Sequence, residues 1–320
     1  MLTLLRRSVA TRAFALAACA LAATVATAPL AADLPAKAPA DPNRLFADSK
    51  LVVRDRFSDE IVGKGPDVIF MPGLASSRAT WKATAERLRG HYRLHLLQVA
   101  GFSGEPARAN ATGDVLIPTA EAIDAYLVQQ KLAPATIVGH SLGGTTMLYL
   151  AEKHPEHLKT VLIVDALPFF GGMMDPKATA DSIRPMAAKM RDGMAANTKP
   201  ATAADLLPQM KSMSKDPATQ MLVSEWGAIS DRTVVGRAMY DDLTLDLRDG
   251  LSAIKTPITL LYPDNAPLGV PAGMMEKIYP ALYAPAPTVK TVLVKDSQHF
   301  IMLDQPKVFA DALDAFLAAK

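Results

Sequence analysis

Ala135-Thr136-Ile137-Val138-Gly139-His140-Ser141-Leu142-Gly143-Gly144-Thr145-Thr146-Met147-Leu148-Tyr149-Leu150-Ala151-Glu152 decides how this chain folds. It opens on a short run rich in β-branched residues, passes through a G-x-S-x-G turn and continues as a helix. The glycines around Ser141 have a mechanical role. Small residues on either side let the serine backbone take a strained turn without striking the adjoining strand or helix. The hydroxyl then projects at the head of a helix, where free N–H groups and the helix dipole favour developing negative charge. A bare pentad of this kind is common, so its strand-and-helix setting carries the inference.

The same alternation extends outward. Leu51-Val52-Val53 with Phe57 reads as an early strand, and Val68-Ile69-Phe70-Met71 as a buried strand that stops at Pro72-Gly73. Trp81 to Leu88 reads as a helix, Tyr92 to Val99 as a strand, and Val115 to Gln129 as a helix with Ile117, Ile123, Tyr126 and Leu127 at helical spacing. Val161-Leu162-Ile163-Val164 ends at Asp165, and the strands resume with Ile258-Thr259-Leu260-Leu261-Tyr262 and Thr291-Val292-Leu293-Val294. Phe309 to Leu317 supplies a last amphipathic helix. Short buried strands alternating with helices predict an α/β fold, a mostly parallel sheet covered on both faces.

The rhythm breaks between Leu167 and Leu251, where no buried strand stands out. This stretch holds nine of the fifteen methionines: Met173, Met174, Met186, Met190, Met194, Met210, Met213, Met221 and Met239. We read residues 167–253 as a helical cap inserted over a core made of 50–166 and 254–320. Core filling is the first reading of the methionines, and an adaptable apolar wall for an acyl or aromatic substrate is the second. No periodicity identifies which of them face a pocket.

Serine alone is a poor nucleophile and needs a base held by a third group. His299, in the loop Asp296-Ser297-Gln298-His299-Phe300 between the final strand and final helix, is the best-placed base. His140 lies inside the turn with its side chain expected to point away from Ser141. His91, His154 and His157 sit near helix ends, His95 lies in a strand, and no histidine pair falls in a metal-binding motif. The acid is expected after the strand at 258–262, which makes Asp264 the first choice and Asp165 the alternative. Two N–H donors complete the site, Leu142 after the nucleophile and Leu74 in Pro72-Gly73-Leu74-Ala75-Ser76. Gly101-Phe102-Ser103-Gly104 lacks both the glycine spacing and the lysine of a phosphate loop.

The amino terminus carries its own signal. Arg6, Arg7 and Arg12 precede an almost wholly apolar run from Ala13 to Ala28, and Leu30-Ala31-Ala32 offers small residues ahead of Asp33. Residues 1–32 are therefore expected to be a cleaved signal peptide, with 33–49 an N-terminal leader, loose over 33–47, and the product periplasmic or secreted. Leu16-Ala17-Ala18-Cys19 offers an alternative, a lipoprotein anchored through Cys19. Membrane contact is expected only through that lipid or an uncleaved leader. Removing residues 1–32 takes away three arginines and no acids, so the formal charge of +2 becomes −1. Nothing in that balance suggests nucleic-acid binding. With Cys19 gone the mature chain has no cysteine, which excludes disulfides and thiolate metal sites.

From about residue 50 to Lys320 the chain resembles the α/β-hydrolase family. The resemblance rests on Pro72-Gly73-Leu74, Gly101-Phe102-Ser103, Gly139-His140-Ser141-Leu142-Gly143-Gly144, His299-Phe300 and Asp304-Gln305-Pro306. It implies an eight-stranded, mostly parallel sheet with helices on both faces and an inserted helical cap. Two departures stand out. Met71-Pro72-Gly73 replaces the His-Gly that many relatives carry, and Pro263-Asp264 replaces the usual Gly-x-x-Asp. The expected activity is that of a serine esterase on a small-molecule ester, with no organic cofactor or metal required. A lactonase, amidase or C–C bond hydrolase on the same triad is the alternative, and a non-catalytic binding protein is a third reading.

Overall fold

The computed structural model describes residues 44–319, apart from 176, 265–270 and 272. The expected signal peptide at 1–32 and the leader as far as 43 lie outside the described residues.

Strands with no polar face need burial on both sides, and here they have it. The sheet comprises β1 (Lys50–Val53), β2 (Phe57–Gly63), β3 (Asp67–Met71), β4 (Arg93–Val99), β5 (Ala135–His140), β6 (Leu158–Val164), β7 (Ile258–Pro263) and β8 (Val289–Val294). They lie in the order β1-β2-β4-β3-β5-β6-β7-β8. β1 pairs with β2 and β2 with β4 antiparallel; every other pairing is parallel. Successive side chains point to opposite faces. Ile69, Leu97, Ile137, Ile163 and Leu260 accordingly enter one core cluster, and Phe70, Leu96, Val138, Leu162 and Leu261 the other.

The helices are α1 (Lys82–Leu88), α2 (Leu116–Gln129), α3 (Leu142–Lys153), α4 (Gly171–Met174), α5 (Ala180–Ala196), α6 (Ala203–Met210), α7 (Pro217–Ala228), α8 (Arg232–Thr244), α9 (Met275–Tyr283), α10 (Ile301–Asp304) and α11 (Pro306–Ala318). Helices α2, α3 and α9 cover the first face through Ile123, Leu148 and Tyr279, and α1 and α11 cover the second through Leu88 and Leu313. Helices α4 to α8 form the insertion between β6 and β7.

Strand β2 escapes the hydrophobic pattern because three of its residues are polar and fully buried. Ser58 donates to Glu105, Asp59 accepts from Tyr126 and meets His95 at 2.6 Å, and Glu60 accepts from the backbone of Leu45 and Phe46. Those last bonds also correct the expectation of a leader that is loose to residue 47. Residues 44–49 are tied to the sheet, with Phe46 and Ser49 buried, because the Glu60 carboxylate needs donors.

The insertion is docked through the turn after β4. Asp231 N–H donates to Gly101 O at 2.8 Å, and Ser103 N–H to Ser230 Oγ at 2.8 Å. A Cβ on Gly101 would lie 2.8 Å from Val234, so glycine lets α8 sit against the core.

Candidate active site

Strand β5 delivers Ser141 to the carboxyl edge of the sheet, where its backbone takes φ 52° and ψ −126°. Such a conformation is strained for a residue with a side chain, and the surroundings over-determine it. Ser141 N–H donates to Val164 O at 3.0 Å, while Ser141 O accepts from Thr145 N–H at 3.0 Å and so starts α3. A Cβ on Gly139 would lie 2.4 Å from Gly143 O, and one on Gly143 would lie 2.6 Å from Met71 O. Both glycines are required by the turn. No side chain caps α3, which leaves the N–H of Leu142 unspent inside the helix.

The turn after β3 closes over this serine. A Cβ on Gly73 would come 2.9 Å from Ser141 Cβ, and Ala75 takes a left-handed φ of 52°. Leu74 lines both cavities that reach Ser141. Leu142 follows Ser141 at the start of α3, and Leu74 shares both cavities with it.

His299 is where the last strand and the following helix bring it, and its Nδ1 lies 2.6 Å from Asp165 Oδ2. This pairing corrects the first choice of acid. Asp264, at the end of β7, instead accepts a bond from Ser297 N–H at 3.3 Å and helps shape the histidine's loop. The physical reason is strand order. β6 lies directly beside β5, so an aspartate just past β6 is one strand nearer the serine than one past β7. Asp165 is buried, adopts φ 50°, and its second oxygen accepts from the Tyr279 hydroxyl. Burial and the neighbouring Asp165 push the Tyr279 phenol well above its usual range, so it remains a donor.

His140 has a place that its position in the turn did not reveal. Its ring lies 4.5 Å from that of His299 and 4.8 Å from that of Phe300, and its Nε2 donates to His299 O at 3.0 Å. Burial, reinforced by the nearby His299, holds the His140 ring well below its ordinary pKa. It is a neutral clamp on the histidine loop. Tyr279 was also missed, although Met275, Tyr279 and Tyr283 recur every four residues and mark the buried stripe of α9.

Two cavities meet at Ser141, Leu74 and His299, one of about 670 Å³ and one of about 480 Å³. Both fall in the size range of small-molecule sites. The methionines serve both of their readings here. Met190, Met213 and Met239 line both cavities, Met194 and Met210 the larger, and Met173 and Met186 the smaller. Met173, Met194, Met210, Met213 and Met239 also pack against the core clusters, so one side chain serves both packing and the cavity wall.

Among the described residues, the one cluster with metal-ligand spacing is Asp124, His154 and His157. None of the three lines either cavity. His157 Nδ1 already meets Asp124 at 2.7 Å, and His154 Nε2 meets Glu121 at 3.1 Å. His95 is spent on Asp59 and Asp67.

A family model described as the alpha/beta hydrolase family matches residues 68–312. A pimeloyl-[acyl-carrier protein] methyl ester esterase of Aeromonas salmonicida is 34% identical over 113 residues, 35% of this chain and 42% of that protein. The enzyme of the same name from Aeromonas hydrophila is 23% identical over 277 residues, covering 81% of this chain and 98% of its own. Among solved structures, an esterase from Exiguobacterium antarcticum superposes with a TM-score of 0.67 at 16% identity, over 82% of this chain and 96% of that one.

Proposed function

The chain belongs to the alpha/beta hydrolase family, and from that premise we propose that it is a serine carboxylesterase acting on small or medium apolar esters through an acyl-enzyme. One observation carries the reading: a strained Ser141 shares its cavities with a His299 already held at 2.6 Å by a buried Asp165.

Ser141 Oγ attacks the carbonyl carbon as its proton passes to Nε2 of His299. Asp165 holds Nδ1–H, fixing the ring's tautomer and stabilising the imidazolium. The Leu74 and Leu142 N–H groups donate to the oxyanion between them, each contributing about 3 kcal/mol in the transition state. His299 then protonates the departing alkoxide, and water releases the acid by the same route. The resemblance to methyl ester esterases supports the ester bond as the target. The methionine-lined cavities support an apolar acyl or alcohol group.

The test is turnover of p-nitrophenyl esters of increasing acyl length by the wild type and Ser141→Ala. Turnover lost with the serine supports the mechanism, and the chain-length optimum measures the cavity. A wild type that labels with a fluorophosphonate but turns over no ester moves the chemistry to lactones, amides or C–C bonds. A wild type that does neither is a binding protein on this fold. The arginine-led apolar segment at 6–28 supports export of the enzyme. The mass of the mature chain from a periplasmic fraction tests that, and distinguishes cleavage near Ala32 from lipidation at Cys19.

A further inference from the structure

The two cavities differ in charge. The insertion contributes Lys189 and Arg232 to the lining of the larger one. To the smaller it contributes a single ionisable side chain among the described residues, Asp242 of α8. Around that carboxylate the wall is apolar and sulfur-rich, with Phe170, Met173, Met186 and Met239. The same cavity contains Ser141 and His299, so whatever fills it also touches the reacting centre.

Asp242 has no lysine or arginine partner among the described residues. The groups that act on it are the Thr145 hydroxyl, His299 and its neighbour Asp241. A carboxylate placed in an apolar pocket costs free energy unless a countercharge or hydrogen bonds compensate it. Burial pushes its carboxyl up to about 6, with Thr145 and His299 pulling the other way. Above neutral pH the group is therefore mainly anionic, facing a space of about 480 Å³ whose described lining holds no lysine or arginine.

We propose that Asp242 makes the smaller cavity a subsite for a positively charged substrate group, of the alkylammonium class. The acid supplies the countercharge, and the aromatic and thioether wall accommodates the alkyl substituents on nitrogen. The larger cavity, with Lys189 and Arg232, disfavours the same group and so sets the direction in which an asymmetric substrate lies. The inference rests on Ser141 being the nucleophile.

Two p-nitrophenyl methylphosphonates test it, one with a 2-(trimethylammonio)ethyl arm and one with its uncharged isostere, a 3,3-dimethylbutyl arm. Ser141 Oγ bonds to phosphorus, the bond to p-nitrophenolate breaks, and the serine proton leaves through His299. Release of p-nitrophenolate gives the inactivation rate without any need for turnover. Each rate is divided by that of the same ester with hydroxide. The wild type at pH 8 is expected to prefer the cationic ester by about tenfold, the worth of one partly screened charge pair. In D242N and D242S that preference falls to within about twofold, while D242E retains part of it.

A wild type without preference overturns the proposal. So does a loss in D242N and D242S that is equal for both esters, since that is what a merely structural bond to α3 produces. Thermal melting of each variant identifies unfolding separately. A wild type that reacts with neither ester overturns the nucleophile assignment and this subsite with it.

Discussion

Nδ1 of His299 and Oδ2 of Asp165 stand 2.6 Å apart, across 134 residues of sequence that include the whole helical insertion. The carboxylate that meets His299 therefore follows the strand next to the serine's own, while Asp264 accepts from Ser297 in the histidine's loop. Asp165→Asn is expected to keep the fold and lower kcat by about 10⁴, because the wrong tautomer of His299 then faces the serine. Asp264→Asn is expected to lower it less than about tenfold, since the amide oxygen can still accept from Ser297 N–H and the pairing of Asp165 with His299 is left intact. Steady-state kinetics on a p-nitrophenyl ester separates them, and equal losses would return the acid to Asp264.

Tyr279 donates to the other oxygen of Asp165 and stacks on Tyr262 with ring centroids 4.9 Å apart. Tyr279→Phe keeps the stack and removes the donor. A hydrogen bond to a charged acceptor is worth about 1.5–3 kcal/mol. The expected result is a fall in kcat of about tenfold or more with KM unchanged. A change confined to KM would mean that Tyr279 only lines the pocket.

The elbow glycines differ from others in the chain. A methyl group added at Gly143 would meet the carbonyl oxygens of Met71 and Pro72 at 2.6 and 2.7 Å, the backbone that leads to Leu74. Gly143→Ala is expected to cost about 2–3 kcal/mol of stability and to slow fluorophosphonate labelling by about a hundredfold. Gly193 in α5 has nothing within 4 Å of its missing Cβ. Gly193→Ala should stabilise by about 0.5–1 kcal/mol. Chemical denaturation measures both.

Far from the serine, His95 is buried between Asp59 and Asp67. Burial alone would lower its pKa, but those two carboxylates outweigh burial and raise it above the ordinary 6.5. A raised folded pKa adds stability that is complete below the unfolded value and is lost as pH rises through the folded one. Asp67 works in the opposite sense. Burial would raise its carboxyl, yet Arg93 and His95 bring it below 3.8, so its contribution is lost on acidification. His95→Gln should therefore cost most between about pH 4 and 6.5, about 3 kcal/mol for a broken buried pair, and progressively less above that. Melting temperatures of both proteins across that range decide it.

Much of this fold was legible because the parallel strands are apolar on both faces and the elbow has a fixed local grammar. Ser141, His299 and Leu74 line the same two cavities, and Leu142 follows Ser141 at the start of α3. Strand β2 was hidden because Ser58, Asp59 and Glu60 look like loop residues until their buried partners are known. The acid was misplaced for a related reason. Asp165 and Asp264 both follow apolar strands, and only the lateral order β5-β6-β7 separates them, which no local pattern encodes. Asp242 was invisible because its meaning depends on which wall of a cavity α8 presents.

The docking of α8 has a consequence for how substrates enter. Asp241 accepts from Val115 and Leu116 N–H at 2.7 and 3.0 Å, and Arg237 donates to Ala111 O at 2.9 Å. Residues 213–215 are likewise fastened to the histidine segment, Phe300 N–H to Met213 O at 3.0 Å and Ser214 Oγ to Asp304 at 2.6 Å. Helices α5 and α6 contribute Met190, Met194 and Leu206 to the lining of the larger cavity. Helix α5 shares in shaping the site, since it supplies Lys189 to the larger cavity and Met186 to the smaller. A change on α5 therefore reshapes what the site accepts, while α8 and residues 213–215 keep their bonds to the core.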